Sequence, residues 1–215
     1  MLKMCCSPKL FLYSLSVSPH QCAELTKLAG KEPGEIRIAL IENAADIIPN
    51  SSDWLGGFRN MLTDNGYRIE IIDLKQWMDN APGLHQKLSS KDVIWIGGGH
   101  TYYLRWILQR SGCDKMIREF VETGKVYAGW SAGAIVAGPT TLYFNLMGDD
   151  PADAPEFISK GLQLTDTVVV PHFQNPDFNR AAIQTDAGLR AAGFSTCTLK
   201  DNEVFLVSGK KKSVI

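Results

Sequence analysis

Apolar and polar positions alternate along this chain in blocks of two kinds. Short, nearly continuous apolar runs recur at Lys9–Ser14 (KLFLYS), Arg37–Glu42 (RIALIE), Asp92–Ile96 (DVIWI), Val126–Trp130 and Thr167–Val170 (TVVV). Runs of this length and β-branched or aromatic content read as strands covered on both faces. Tyr67–Leu74 (YRIEIIDL) alternates with the period of a strand. Between these runs lie helical patterns. Ser18–Ala29 has Pro19 at its start and Gly30 just past its end. Asp53–Gly66 repeats apolar residues at Trp54, Phe58, Met61 and Leu62. Tyr102–Ser111, Lys115–Thr123 and Phe178–Ala192 also read as helices, and Thr196–Leu199 with Glu203–Val207 reads as a closing strand pair. Uniformly apolar strands alternating with helices are the signature of an α/β fold with a mostly parallel sheet between helical layers. No repeat or linker divides the chain, which reads as one domain over residues 1–215, with residues 1–8 a disordered leader. The longest irregular stretch is Gly138–Gly161, which carries three prolines and a cluster of acids; long loops in compact domains often serve function.

Composition narrows the partners. Lys and Arg number 22 against 23 Asp and Glu, so there is no basic footprint for nucleic acid and none for an anionic membrane surface. At 45% apolar and 21% charged residues the chain is ordinary for a globular protein. No apolar run approaches a membrane span, and no secretory signal is read at the N-terminus. Five cysteines, an odd count without a CxxC spacing, argue against a disulfide framework or a zinc site, including at the adjacent Cys5 and Cys6. A reducing cytoplasm is the expected location.

The chemistry gathers where strands end, which is where ligands sit in open α/β sheets. Gly129-Trp130-Ser131-Ala132-Gly133 matches G-x-S-x-G after an apolar strand. In such an elbow the serine hydroxyl is presented as a nucleophile and the flanking small residues relieve crowding. Gly97-Gly98-Gly99-His100-Thr101 follows DVIWI, and its glycines let backbone N–H groups approach developing negative charge. It lacks the spacing of a dinucleotide loop and a phosphate-binding lysine. Pro171-His172-Phe173 follows TVVV and offers a general base, whereas His20 and His85 read as surface residues. A triad needs an acid to orient the imidazole. Between Ser131 and His172 the candidates are Asp149, Asp150, Asp153, Glu156 and Asp166.

GGGHTYYL, GWSAGAIVAGPT and VVVPHF, in that order, resemble the peptidase E family, serine peptidase family S51, from Lys9 onward. The resemblance implies a three-layer sandwich of the class I glutamine-amidotransferase-like type, with serine in place of the amidotransferase cysteine. It implies Ser131 as nucleophile, His172 as base, and the N–H groups of Gly99 and Ala132 as the oxyanion hole. Gly98, His100 and Thr101 fall in its substrate-binding loop. It implies hydrolysis of short peptides without metal or cofactor, of the type that cleaves dipeptides with an N-terminal aspartate, by a monomer or homodimer. Two positions depart from the family pattern. His100 stands where the glycine loop ends in asparagine, and Leu146 stands where an acid follows asparagine. Counting back from the histidine places Asp150 at the family's acid, so Asp150 is the expected third member, ahead of Asp149 and Glu156. The same constellation could serve an esterase or amidase, and the missing acid at Leu146 would suit a catalytically silent binding protein.

Overall fold

The computed structural model describes residues 7–215; Cys5, Cys6 and most of the expected leader lie outside them. The strands are β1 (Lys9–Tyr13), β2 (Arg37–Ile41), β3 (Arg68–Ile71), β4 (Val93–Ile96), β5 (Val126–Trp130), β6 (Thr167–Val170), β7 (Ser195–Thr198), β8 (Val204–Ser208) and β9 (Lys211–Val214). The helices are α1 (Pro19–Ala29), α2 (Ser52–Asp64), α3 (Ala81–Ser89), α4 (Thr101–Arg110), α5 (Cys113–Glu122), α6 (Ala132–Val136) and α7 (Asn179–Ala191).

Seven strands form one sheet in the order β3-β2-β4-β5-β1-β8-β9. The first five are mutually parallel; β8 runs antiparallel to β1, and β9 antiparallel to β8. Successive residues of a strand face opposite sides, so each apolar run feeds two cores. Leu10, Leu12, Ile94, Ile96 and Tyr127 pack with α3, α4, α5 and α6. Phe11, Tyr13, Val93, Trp95 and Ala128 pack with α1 and α2 on the other face. The result is a three-layer α/β architecture.

The start of α1 shows how local chemistry sets a boundary. Ser18 Oγ accepts from the Gln21 N–H at 3.3 Å, the Ser18 N–H donates to Gln21 Oε1 at 2.8 Å, and Gly30 closes the helix at φ 69°. Two elements differ from the sequence reading because their signals are weak. α3 contains Pro82 and Gly83, which look like a turn, but Asn80 caps it by accepting from the Gly83 N–H at 3.0 Å. β9 is a polar edge strand (KKSV) with no apolar alternation.

A third difference changes the site. Ser195–Thr198 and Val204–Ser208 do not pair with each other. β8 takes the edge of β1, and β7 instead pairs in parallel with β6 in a separate two-stranded sheet. Parallel pairing brings the C-terminal ends of β6 and β7 together, so Leu199 hydrogen bonds both Val170 and Phe173 through the backbone. The irregular stretch after α6 is tied at its base by an antiparallel bridge between Thr140 and Lys160. Between those ends it is anchored by buried Phe144 and by the Asn145 N–H, which donates to Tyr102 Oη at 2.7 Å.

At the opposite end of the sheet from the glycine loop, Asp92 stitches β2 to β4. It accepts from the Arg37 backbone N–H at 2.9 Å and pairs with Lys31 at 2.7 Å and the Arg37 guanidinium at 3.1 Å. Burial pushes its carboxyl up, but the bonds from Arg37 and Lys31 outweigh this and hold it at about 2. A depressed carboxyl contributes stability that is complete above its unfolded value near 4 and is lost as the pH falls toward 2. After solvent screening at the half-exposed partners, this contribution is about 1–2 kcal/mol. Asp92→Asn should therefore lower unfolding free energy by that amount at pH 7, with the gap to wild type closing below pH 3. Urea unfolding at both pH values tests it; a constant gap would show that charge is not the cause.

Candidate active site

Ser131 sits between β5 and α6 at φ 47° and ψ −109°, a conformation L-residues rarely adopt. Two contacts impose it. Its N–H donates to the Tyr13 carbonyl of β1 at 3.0 Å, and its own carbonyl accepts from the N–H groups of Ala134 and Ile135 at 2.9 Å. The flanking glycines answer the crowding of that turn. A Cβ on Gly129 would lie 2.5 Å from the Gly133 carbonyl oxygen, and one on Gly133 would lie 2.3 Å from that of Ile96.

His172 follows β6 and is also held at positive φ, 62°. Its backbone N–H donates to Ser14 Oγ at 2.7 Å, which ties it to the end of β1. The imidazole is buried, with the Phe178 ring 5.0 Å away, and its two nitrogens have different partners. Nε2 lies 3.0 Å from Ser131 Oγ, and Nδ1 lies 2.9 Å from Asp201 Oδ1. A carboxylate can only accept, so Nδ1 carries the proton and Nε2 is free to accept from the serine hydroxyl. Asp201 is in turn fixed by Asn175, whose Nδ2 donates to Oδ2 at 2.6 Å, and by the Ser14 hydroxyl at 3.3 Å. Burial raises the Asp201 carboxyl, but the bonds from Asn175, His172 and Ser14 outweigh it and hold it below the ordinary carboxylate value. It is therefore charged where an imidazolium would need a counter-charge.

The expectation that Asp150 completes this group is corrected. Asp150 accepts from the Ala152 N–H at 2.9 Å and caps an exposed turn in the irregular stretch. Asp149 accepts from the Thr101 N–H at 2.8 Å, Asp166 bonds Thr167 and Lys212, and Glu156 is exposed. Asp201, Asn175 and Ser14 were not singled out by sequence. Asp201 lies in the polar stretch KDNE, which looks like a hairpin turn until β7 is seen to pair with β6.

Ser131, His172, Gly99, Thr101, Asp149 and Phe178 line one cavity of about 210 Å³. Gly99 adopts φ 134°, and a Cβ there would lie 2.2 Å from the Ala44 carbonyl oxygen, so only glycine fits. Among the described residues no loop, turn or cap carbonyl accepts from the N–H of Gly99 or of Ala132. Gly98 and His100 are not among the lining residues. A Cβ on Gly98 would meet the Trp130 ring at 3.2 Å and Ser131 Cβ at 3.3 Å. His100 is turned into the protein as the N-cap of α4: its Nδ1 accepts from the Tyr103 N–H at 3.2 Å, and its Nε2 faces Asp153 at 3.4 Å. A larger cavity, about 280 Å³, opens near the ends of β2 and β3 beside Glu42, Asp73 and Arg59, but it has no nucleophile and base in contact. Among the described residues no cluster of three or more His, Cys, Asp or Glu could hold a metal ion. No helix there is long and apolar enough to cross a membrane.

The sequence model of peptidase family S51 matches residues 14–215, which includes all of these side chains. The chain belongs to peptidase family S51. An uncharacterized peptidase of Pasteurella multocida is 30% identical over 161 residues, which is 72% of this chain and 76% of the relative. Peptidase E of Shewanella amazonensis is 39% identical over 108 residues, so the chain spans about half the length of this relative, 45% of each being aligned. The crystal structure of a candidate peptidase E of Listeria monocytogenes superposes with a TM-score of 0.82 at 24% identity, over 97% of this chain and 98% of that one. The fold is thus that of peptidase E structures, and family S51 membership makes the chain a peptidase, a hydrolase.

Proposed function

We propose that this S51 member is a serine-type dipeptidase. The observation that carries the reading is the continuous hydrogen-bonded series Ser131–His172–Asp201, opening on the cavity. Ser131 Oγ attacks the scissile carbonyl while His172 Nε2 takes its proton. Asp201 holds the imidazole in the required tautomer and balances the imidazolium. The N–H groups of Gly99 and Ala132 donate to the tetrahedral oxyanion, which is served best by donors with no competing acceptor. The imidazolium then protonates the leaving amine, and water enters by the same base to release the acid and restore Ser131.

Size supports a short substrate: about 210 Å³ falls below the roughly 300–1,000 Å³ of pockets that take drug-sized ligands. Two departures suit a silent scaffold, the absence of an acid at Leu146 and the histidine at position 100. The first loses its weight in this reading, because Asp201 offers the carboxylate from a segment after the histidine. A fluorophosphonate should modify Ser131 in the wild-type protein and leave His172→Ala unmodified, as read by mass spectrometry of the Ser131 peptide. Free dipeptides should turn over faster than longer peptides. Turnover confined to p-nitrophenyl esters would instead favour an esterase.

A further inference from the structure

We infer that Asp149 receives the free α-ammonium group of the substrate and that the cavity around it takes an apolar rather than an acidic N-terminal side chain. The inference rests on the reading of Ser131 and His172 as the hydrolytic pair. Asp149 lines the same cavity as that pair and is held there through one oxygen, by the Thr101 N–H at 2.8 Å. Among the described residues its other oxygen has no hydrogen-bond partner, and no Lys or Arg lines the cavity. A half-buried carboxylate without a counter-charge is unfavourable, and a ligand that supplies a cation relieves it. The remaining walls are apolar: Ile48, Ile135, Phe144, Met147 and Phe178. Asp150 and Asp153 stand on the same segment and add negative charge nearby.

An N-terminal aspartate would bring another carboxylate into a site with an anion already in place and no cation to receive it. Arg180, the first arginine after His172 in the chain, is exposed and does not line the cavity. An apolar N-terminal residue meets both demands: its ammonium pairs with Asp149 and its side chain covers the apolar walls. A lysine side chain would offer the same ammonium chemistry, so the test separates the two sources.

Binding to Ser131→Ala, measured by calorimetry, reads recognition without turnover. Leu-Leu should bind at least about tenfold more tightly than N-acetyl-Leu-Leu, Asp-Leu and N-acetyl-Lys-Leu, the scale of one charge-assisted contact. Adding Asp149→Asn should collapse the preference for the free amine to within about threefold. Asparagine keeps an oxygen for the Thr101 N–H, so unchanged thermal unfolding is expected of that variant. Tighter or equal binding of Asp-Leu, no cost of acetylation, tight binding of N-acetyl-Lys-Leu, or a preference that survives Asp149→Asn would overturn the inference. Failure of the hydrolytic reading would appear separately, as wild-type Ser131 left unmodified by fluorophosphonate.

Discussion

Replacing Ser131 with alanine is expected to lower kcat for a short peptide by roughly 10⁶-fold while KM changes only a few-fold. Alanine removes the attacking oxygen but keeps the Cβ, the bond from the residue's N–H to Tyr13 and the glycine contacts around the turn. The cavity walls and Asp149 stay in place, so binding persists without chemistry. The same residue carries backbone strain, because φ 47° with ψ −109° costs a non-glycine residue about 1–3 kcal/mol. That cost has a second consequence. Ser131→Ala should be close to wild type in thermal stability, whereas Ser131→Gly should be more stable by about 1 kcal/mol and equally inactive. Strain tolerated in order to present a hydroxyl is the signature of a nucleophile elbow, and a merely structural turn would have no reason to retain it. Steady-state kinetics and thermal unfolding on the three proteins provide the check. Activity above about one per cent in Ser131→Ala would show that another group attacks the carbonyl.

The positions of Ser131 and His172 were legible because each follows a buried strand, and apolar runs mark buried strands strongly. The placement of Gly99 on the cavity was legible for the same reason. The third carboxylate was not, because its position depends on pairing between segments distant in sequence. Thr196–Leu199 and Glu203–Val207 are separated by three residues, so local reasoning folds them into a hairpin and sends Asp201 to its tip. Pairing of β7 with β6 reverses this and sets Asp201 beside the end of β6, where His172 emerges. The cue was present in the polar KDNE interruption directly after a strand, but an acid in a turn has the same composition whether it is solvated or catalytic. His100 is a different case. The resemblance places it in a substrate-binding loop, yet a histidine before a helix can also cap it; here its Nδ1 accepts from the Tyr103 N–H, and it is not among the cavity residues. Asp149 and Asp150 are neighbours in one polar cluster. Only the anchoring of the irregular stretch on Tyr102 and Thr101 turns the first into the cavity and the second into an exposed cap.

Asp201→Asn should lower kcat by about 10⁴-fold near neutral pH, while Asp150→Asn should stay within a few-fold of wild type. The size of the first effect follows from the direction of the hydrogen bonds rather than from loss of charge alone. Asn175 Nδ2 already donates to Oδ2 of Asp201 at 2.6 Å, so an asparagine side chain at that position would turn its carbonyl oxygen toward Asn175. Its own NH₂ would then face His172 Nδ1, where Oδ1 now accepts at 2.9 Å. The imidazole would answer by moving its proton to Nε2, the nitrogen 3.0 Å from Ser131 Oγ. A protonated Nε2 cannot accept the hydroxyl proton, so the base is lost although every heavy atom stays in place. Raising the pH does not restore that tautomer as long as Asn175 keeps its bond to the introduced amide oxygen. Asn175→Ala combined with Asp201→Asn frees the amide to turn over, and this double variant should regain part of the rate lost in Asp201→Asn. Kinetics of the two single variants and the double variant, with thermal unfolding to confirm that each is folded, separate the outcomes. Equal losses at positions 150 and 201 would mean that the irregular stretch moves onto His172 during turnover, and Asp201 would then be a structural partner alone.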